Sequence, residues 1–480
     1  MLKTIIAKEF LNNILNLRFM IGLVLCLIIT VACIVILAHD YRQELADYNR
    51  RVNLQEEFLS KHASDNWLSA LTPGQKPPER FRPLIIGIPR SENSNSFDDN
   101  PLPILFPNLD FLFIVTIIMS LLALLFSYDA ITGERQRGTL RLVISNSISR
   151  TKILFGKFIG GTASLLIPFI LSLMVGGLYI SINPAIQWDG SAWAELALLT
   201  AASITFIMLF YLLGLMVSSF SRYSSASILN CLFLWVLLIL VIPNVCPYIS
   251  AQLHRIPSIR ETQRQEEEIK EADAEVKRQR RKEVVSKFRS DYGELFSQFE
   301  ALDKTDDGRK KVQELADADP QFKAMVDAFR RELDRTWYEA ERARRNATDK
   351  LWGDLNTKAA AQTRLAKNLA CISPFANFVY VARDLTGTGL RSLEYFGQVK
   401  AEYRKRFERY AIRQEAARDK DPARRGDPFL DLRDHPRFVF KEEALRGKLG
   451  EVLPYWGILI LFNVVFFVAA FAGFMRYDVR

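Results

Sequence analysis

Apolar residues in this chain gather into blocks separated by polar stretches of very unequal length. Six blocks are long enough to cross a bilayer, which takes roughly 20 mainly apolar residues of helix. They are Phe19–Leu37, Leu109–Phe126, Phe158–Ile180, Ala192–Val217, Ala226–Val245 and Leu453–Phe474. The polar intervals then define the organisation: an amphipathic start at 1–18, a segment at 38–108, a basic connection at 127–157, a short turn at 218–225, a large insertion at 246–452 and a tail at 475–480. The predicted fold class is mainly α, a polytopic membrane protein with six transmembrane helices and a large helical extracytoplasmic domain.

Leu2, Ile5, Ile6, Phe10 and Ile14 recur along one side of the first helix, which fits an element lying in the membrane interface. The following block is too long for a signal-peptide core and reads as an uncleaved anchor. Prolines at 73, 77, 78, 83, 89, 101, 103 and 107 break any long element in the next segment, and Ser91–Asn100 reads as a mobile stretch. Asp110 stands where a carboxylate caps the second span. Pro168 and the small residues Gly160, Gly161, Gly176 and Gly177 suit close, kinked packing of the third span, and Asn230 in the fifth suits an interhelical hydrogen bond.

Inside the insertion, Val285, Phe288, Tyr292, Leu295, Phe299 and Leu302 alternate at spacings of three and four, the pattern of a heptad seam. Phe322, Met325, Phe329, Leu333 and Trp337 repeat it beyond a break at Asp306-Asp307-Gly308, so a helical hairpin or bundle is expected. The apolar run after Ser373-Pro374 reads as a re-entry segment touching the outer membrane surface, and Glu408–Arg437 as a mobile polar flap.

The net charge of +9 and mean hydropathy of +0.03 average two unlike materials, a membrane bundle and a charged soluble insertion. No recognition helix or aromatic RNA-binding motif accompanies the charge, so no nucleic-acid partner is expected. Five scattered cysteines form neither a zinc site nor a disulfide framework, and nothing in the spacing of Cys246 and Cys371 implies that they meet. Four dispersed histidines make no HExxH pair, and no GxSxG elbow is present. Phe155-Gly156-Lys157-Phe158 lacks the remaining residues of a phosphate loop, so this chain carries no nucleotide-hydrolysing motif of its own. It is not expected to be an enzyme, and neither a catalytic residue nor a metal ligand is assigned.

The centre of the organisation is YDAITGERQRGTLRLVISNSISRTKILFGK, from Tyr128 to Lys157, with six cations against two anions between two spans. Such a connection belongs on the cytoplasmic side, which places both termini in the cytoplasm. From Gly133 to Ser145 the small or apolar Thr139, Leu142 and Val143 alternate with Glu134, Arg135, Arg137 and Arg141, as in a short amphipathic surface helix.

This stretch resembles the signature of permease subunits of type-2 ABC exporters, in particular multi-copper enzyme maturation permeases. The likeness rests on Tyr128, Asp129, Gly133, Glu134, Arg135, Arg137, Gly138, Thr139, Leu140, Arg150, Gly156 and Lys157. It implies an interfacial elbow helix at the start, containing Glu9, and a coupling helix that docks into a separate cytoplasmic ATPase subunit. The coupling residues so implied are Gly133, Glu134, Arg135, Arg137, Gly138, Thr139, Leu140 and Arg141. ATP and Mg would be bound by that partner, with no cofactor in this chain. A second permease copy or a homologous permease, the lipid bilayer and an extracytoplasmic partner complete the expected assembly in the cell inner membrane. The expected function is export of an amphiphilic substrate; the alternative is an ATPase-driven mechanical coupler or envelope scaffold acting through the outer helices.

Overall fold

The computed structural model of the chain describes residues 2–61, 75–88, 109–140, 142, 149–186, 188–304, 306–420, 432 and 434–476. The stretch Ser91–Asn100, Arg141, Val143, Ser145 and the tail beyond Arg476 lie outside them. All regular elements among the described residues are helical. The chain divides into two compact units, Met1–Asn244 with Ala370–Arg480, and Val245–Leu369. The boundary cuts the stretch 246–452, and its part from Ala370 onward belongs to the membrane unit.

In the first unit, α1 (Leu2–Ile14) precedes the long α2 (Leu17–Lys61). Helix α3 runs through Phe111–Phe113, a π-helical stretch Ile114–Met119 and Ser120–Ser127. Then come the short α4 (Thr132–Gln136), α5 (Arg150–Ile182), α6 (Gly190–Phe220) and α7, formed by Ser224–Trp235, a second π-helical stretch Val236–Val241 and Ile242–Leu253. Among the described residues, six helices are long and apolar enough to cross a membrane: Leu17–Glu57, Phe111–Gln136, Arg150–Ile182, Gly190–Phe220, Ser224–Leu253 and Leu445–Met475.

Helix α6 is apolar on every side, which is tolerable only for a helix covered all round. Phe206, Ile207, Leu209, Phe210 and Leu215 are fully buried in it, and α3 and α13 (Leu445–Met475) pack against it. Asp110 caps α3 as expected, accepting from the Phe113 N–H at 2.9 Å and also from that of Ile86 at 3.2 Å. The two π-helical stretches are joined where they end and begin, Trp235 Nε1 donating to Ser120 Oγ at 2.8 Å.

Two expectations for this unit are corrected. Helix α11 (Pro374–Leu385) is not laid on the membrane surface: Phe378, Val381, Ala382 and Leu385 are fully buried, and Phe378 stacks on Phe206 at 4.7 Å. The polar run after Glu408 is helical as far as Lys420 in α12 (Leu390–Lys420), because Tyr403, Phe407 and Ala411 bury a shared stripe with Leu432. Asn230 is exposed on α7 and makes no bond to another described helix of this chain. The cysteines form no disulfide among the described residues.

The second unit is a hairpin of α8 (Ile259–Leu302) and α10 (Pro320–Ala370), bridged by α9 (Asp306–Ala318). Helix α8 has 44 residues and is broken at Gly293, so its uninterrupted part up to Tyr292 is about 50 Å long at 1.5 Å per residue. The pairs Glu266–Trp352, Lys277–Glu341 and Phe288–Phe329 show that the two long helices run antiparallel. The core near the bridge is aromatic: Phe288, Phe296, Phe299 and Phe329 meet with Met325 and Val326. Leu295 and Leu302 pack against this core as expected, but Tyr292 is exposed, because Gly293 takes φ 48° and breaks the helix there, and Phe296 is buried in addition. The Asp306-Asp307-Gly308 break lies inside the first turn of α9.

Lower down the hairpin, ion pairs replace apolar contacts. Glu341 accepts from Arg344, Arg345 and Lys277, and Arg344 also lies 3.9 Å from Asp273. Hydrogen bonding from Arg344 outweighs partial burial and, with Arg345 and Lys277, holds the Glu341 carboxyl down at about 2. A folded pKa below the ordinary value contributes stability that is full above about 4.5 and is lost as pH falls toward 2.

Two outcomes are expected for the hairpin. Phe329→Ala removes a ring shared by three other phenylalanines and should destabilise the hairpin by about 3–5 kcal/mol. Hydrogen exchange on the full chain should then accelerate at residues 284–299 and 312–326, with α6 unchanged. Glu341→Gln should remove part of the pH dependence of exchange in the same hairpin between about pH 4.5 and 2; an unaltered profile would show that the cluster contributes nothing.

Candidate functional site

The connection from α3 to α5 is built from turns that could not hold themselves together. Helix α4 has five residues, too short to be stable alone, and Ile131 at its N-cap offers no side-chain acceptor. The missing acceptor comes from α6: Ser218 Oγ accepts from the N–H groups of Ile131 and Thr132, both at 3.1 Å. Ser224 Oγ reaches Gln136 at 2.9 Å, Ser227 Oγ donates to the Tyr128 carbonyl at 2.7 Å, and Arg135 reaches the Ser221 carbonyl at 3.5 Å. The turn between α6 and α7 thus grips the connection through residues 218, 221, 224 and 227. After Arg137, Gly138 takes φ 74°, a left-handed conformation that ends the helix.

Beneath this turn lies a buried ion cluster. Lys157 of α5 is 2% exposed, and its Nζ lies 2.8 Å from Glu134 Oε1 and 2.9 Å from Glu9 Oε1 of α1. Lys8 Nζ stands 4.0 Å from the same Glu134 oxygen and partly balances the second carboxylate. Breaking a buried pair on one side typically costs 3–5 kcal/mol, because the remaining charge is stranded.

Close packing brings these groups together. A Cβ on Gly156 would lie 2.5 Å from Ile5, and one on Gly160 would lie 2.8 Å from the Ile6 carbonyl oxygen, so the small residues four apart admit α1 onto α5. Gly161 makes room for the Tyr211 hydroxyl, which donates to the Lys157 carbonyl at 3.0 Å. Two further cations brace the same end of the bundle. Arg18 of α2 bonds Asp129 at 3.2 Å and the Tyr128 hydroxyl at 2.9 Å, and Arg150 donates to the Met475 carbonyl at 2.7 Å.

The sequence-predicted coupling residues are therefore split between two directions. Glu134 points inward to Lys157, and Leu140 is fully buried. Gly133 and Arg135 are half-buried, while Arg137, Gly138 and Thr139 are exposed together with Gln136 and Leu142. Arg141 lies outside the described residues. Sequence reasoning missed the role of the serines, although their recurrence every third residue from Ser218 to Ser227 was a readable signal.

The opposite end of the bundle has its own buried pair. Lys448 of α13 donates to Glu195 of α6 at 2.8 Å and to the Leu385 carbonyl at 3.1 Å, with both charged side chains almost wholly buried. Arg80 bonds Glu442 and Asp189, each at 2.8 Å. Burial alone would lower the Arg80 pKa, but the carboxylates of Glu442, Glu195 and Asp189 raise it above the ordinary value.

Comparison with known proteins matches residues 3–479 to the family described as ABC-2 family transporter protein. Two curated relatives are each named "Probable ABC transporter permease protein NosY". The one from Pseudomonas aeruginosa is 30% identical over 122 residues, covering 25% of this chain and 36% of the relative. The one from Stutzerimonas stutzeri is 33% identical over 114 residues, covering 23% of this chain and 38% of the relative. The similarity therefore spans little more than a third of either relative. The family match, which runs over almost the whole chain and includes the six apolar helices and the connection they frame, establishes that this protein belongs to the ABC-2 transporter family as a multi-pass membrane permease.

Proposed function

We propose that this chain is the membrane-spanning subunit of an ABC exporter and that residues 128–157 receive the motion of a separate cytoplasmic ATPase. The observation that carries the reading is the two-sided connection: its inner side is bonded to α1, α5 and α6, while Gln136, Arg137, Thr139 and Leu142 remain exposed. A displacement applied to the exposed side would pass directly into the buried cluster. The basic character of this segment favours the cytoplasmic side, with both chain ends there and the hairpin of the second unit outside. ATP and Mg belong to the ATPase in this reading, and the membrane is the cell inner membrane.

A second permease copy or a homologous permease is part of the proposal. Asn230 faces outward from a membrane-crossing helix, where a polar amide is costly against lipid and finds a partner across a helix–helix interface. The six spans place few charges away from their ends, which favours amphiphilic cargo. The relatives' names support the transport reading over the scaffold reading. The length of the outer hairpin is the one feature that favours a mechanical coupler acting on an extracytoplasmic partner.

Two experiments test the coupling assignment. Arg137→Glu reverses an exposed charge without disturbing the buried cluster. An ATPase should still co-purify with the inserted chain, but its stimulation by the permease should fall at least about tenfold, the equivalent of one lost charged contact. Unchanged stimulation would remove Arg137 from the docking surface, and failure of any ATPase to co-purify would move the weight to the scaffold reading. Lys157→Met should lower stability by about 3–5 kcal/mol by stranding two carboxylates. The triple variant Glu9→Gln, Glu134→Gln, Lys157→Met should regain most of that stability in thermal unfolding of the detergent-solubilised chain. A triple variant no more stable than the single one would contradict the electrostatic account.

A further inference from the structure

The end of the membrane unit opposite the Lys157 cluster is crossed by a stretch without regular secondary structure, residues 75–88. Pro77, Pro78 and Pro83 keep it from becoming helical. It is nevertheless buried: Phe81 and Ile85 are wholly enclosed, Leu84 is nearly so, and the Phe81 ring packs on Trp188 at 4.8 Å. Its bonds reach several elements at that end. Arg82 pairs with Glu44 of α2, and the Leu84 carbonyl accepts from the Phe111 N–H of α3 at 2.9 Å. The Arg80 carbonyl accepts from Trp188 Nε1, just before α6, at 3.1 Å, and the Ile88 N–H donates to the Thr388 carbonyl, just after α11, at 3.4 Å.

The carboxylates that hold this stretch do not depend on it. Arg80 is its central cation, 2.8 Å from Asp189 and from Glu442 and 3.8 Å from Glu195. Asp189 also accepts from the Ala192 N–H at 2.9 Å and from the Ser191 hydroxyl at 2.8 Å. Glu195 has Lys448 at 2.8 Å, and Glu442 lies 3.7 Å from the same ammonium. Asp110 accepts from the Ile86 N–H but also from that of Phe113. Withdrawing residues 75–88 therefore strands none of these four carboxylates, in contrast to the cluster at Lys157. The Arg80 side chain is 23% exposed, so water can take over its guanidinium as it leaves. What keeps the stretch seated is then chiefly the burial of Phe81, Leu84 and Ile85, a non-directional force that a change in the helices beneath it weakens.

We infer that residues 75–88 are a releasable strap, pinned by Arg80, that holds this end of the bundle shut and lifts when the ATPase drives the bundle open. Under the orientation proposed above, on which the gating role rests, the strap closes the outward side of the subunit.

Hydrogen exchange read by mass spectrometry on the full chain in phosphatidylcholine nanodiscs reports the strap directly, because the Phe111 amide is bonded to it. Arg80→Gln removes the pin and should raise exchange in residues 80–88 and 109–113 by roughly tenfold, the loss of a charged hydrogen bond. Residues 199–215 of α6 should be unchanged. A staple supplies the converse: a Cβ on Gly87 would lie 3.6 Å from the Thr388 Cβ, within the span of a disulfide. Gly87→Cys with Thr388→Cys, added to Arg80→Gln and oxidised, should return exchange to the native rate, and reduction should undo this. Unchanged exchange in Arg80→Gln, or an acceleration throughout the membrane unit that the staple does not reverse, would overturn the strap. A second arm uses the unaltered chain with its co-purified ATPase. ATP turnover should raise exchange in residues 80–88, and the oxidised staple should abolish that rise; exchange indifferent to turnover would overturn the gating role. If no ATPase co-purifies, the coupling assignment fails by itself, while the first arm still decides the strap.

Discussion

The ammonium of Lys157 is the constraint around which one end of the bundle is arranged. It is buried, so it must be paired, and the carboxylates available come from two other elements, Glu9 of α1 and Glu134 of α4. Meeting that requirement fixes α1 against α5, and the glycines at 156 and 160 permit the approach. Helix α4 is too short to persist alone, so it inherits its position from the same cluster and from Ser218. The exposed residues that follow it are therefore presented by a rigid base.

The opposite end solves a similar problem with Glu195 and Lys448, which tie the first turns of α6 and α13 to the end of α11. Between the two ends, α6 is mostly apolar, with two polar ties to α13: Trp456 Nε1 donates to the Thr205 hydroxyl at 3.2 Å and the Asn463 amide to the Thr205 carbonyl at 3.1 Å. Strong polar links at both ends, with weaker neutral ones between, make the helices hard to separate. The π-helical stretches of α3 and α7 lie in the same middle region and are tied to each other through Trp235 and Ser120.

Much of the architecture was legible because apolar blocks of bilayer length are a strong one-dimensional signal. So was the Asp110 cap, because the carboxylate and the Phe113 N–H are neighbours in sequence, while its second donor, Ile86, is brought to it only by the fold. The partner of Glu134 was not legible. In a basic connection it reads as part of the outward surface, and only the fold brings Lys157 and Glu9 to it. Helix α11 misled for a related reason: its apolar stripe is real, but Phe206 covers it, not the membrane surface. Gly293 removed Tyr292 from the expected seam of the hairpin because one residue of positive φ breaks the helix there.

The central claim is that α1 and the connection after α3 move as one body because Lys157 holds both. Spin labels at the exposed positions Asn12 and Arg137 measure this directly by pulsed electron resonance on the complex with its ATPase. The account predicts one narrow distance distribution, the same with and without bound nucleotide, that broadens in Lys157→Met. A distance that changes on nucleotide binding in the unaltered cluster, or one that stays equally narrow in Lys157→Met, would contradict it.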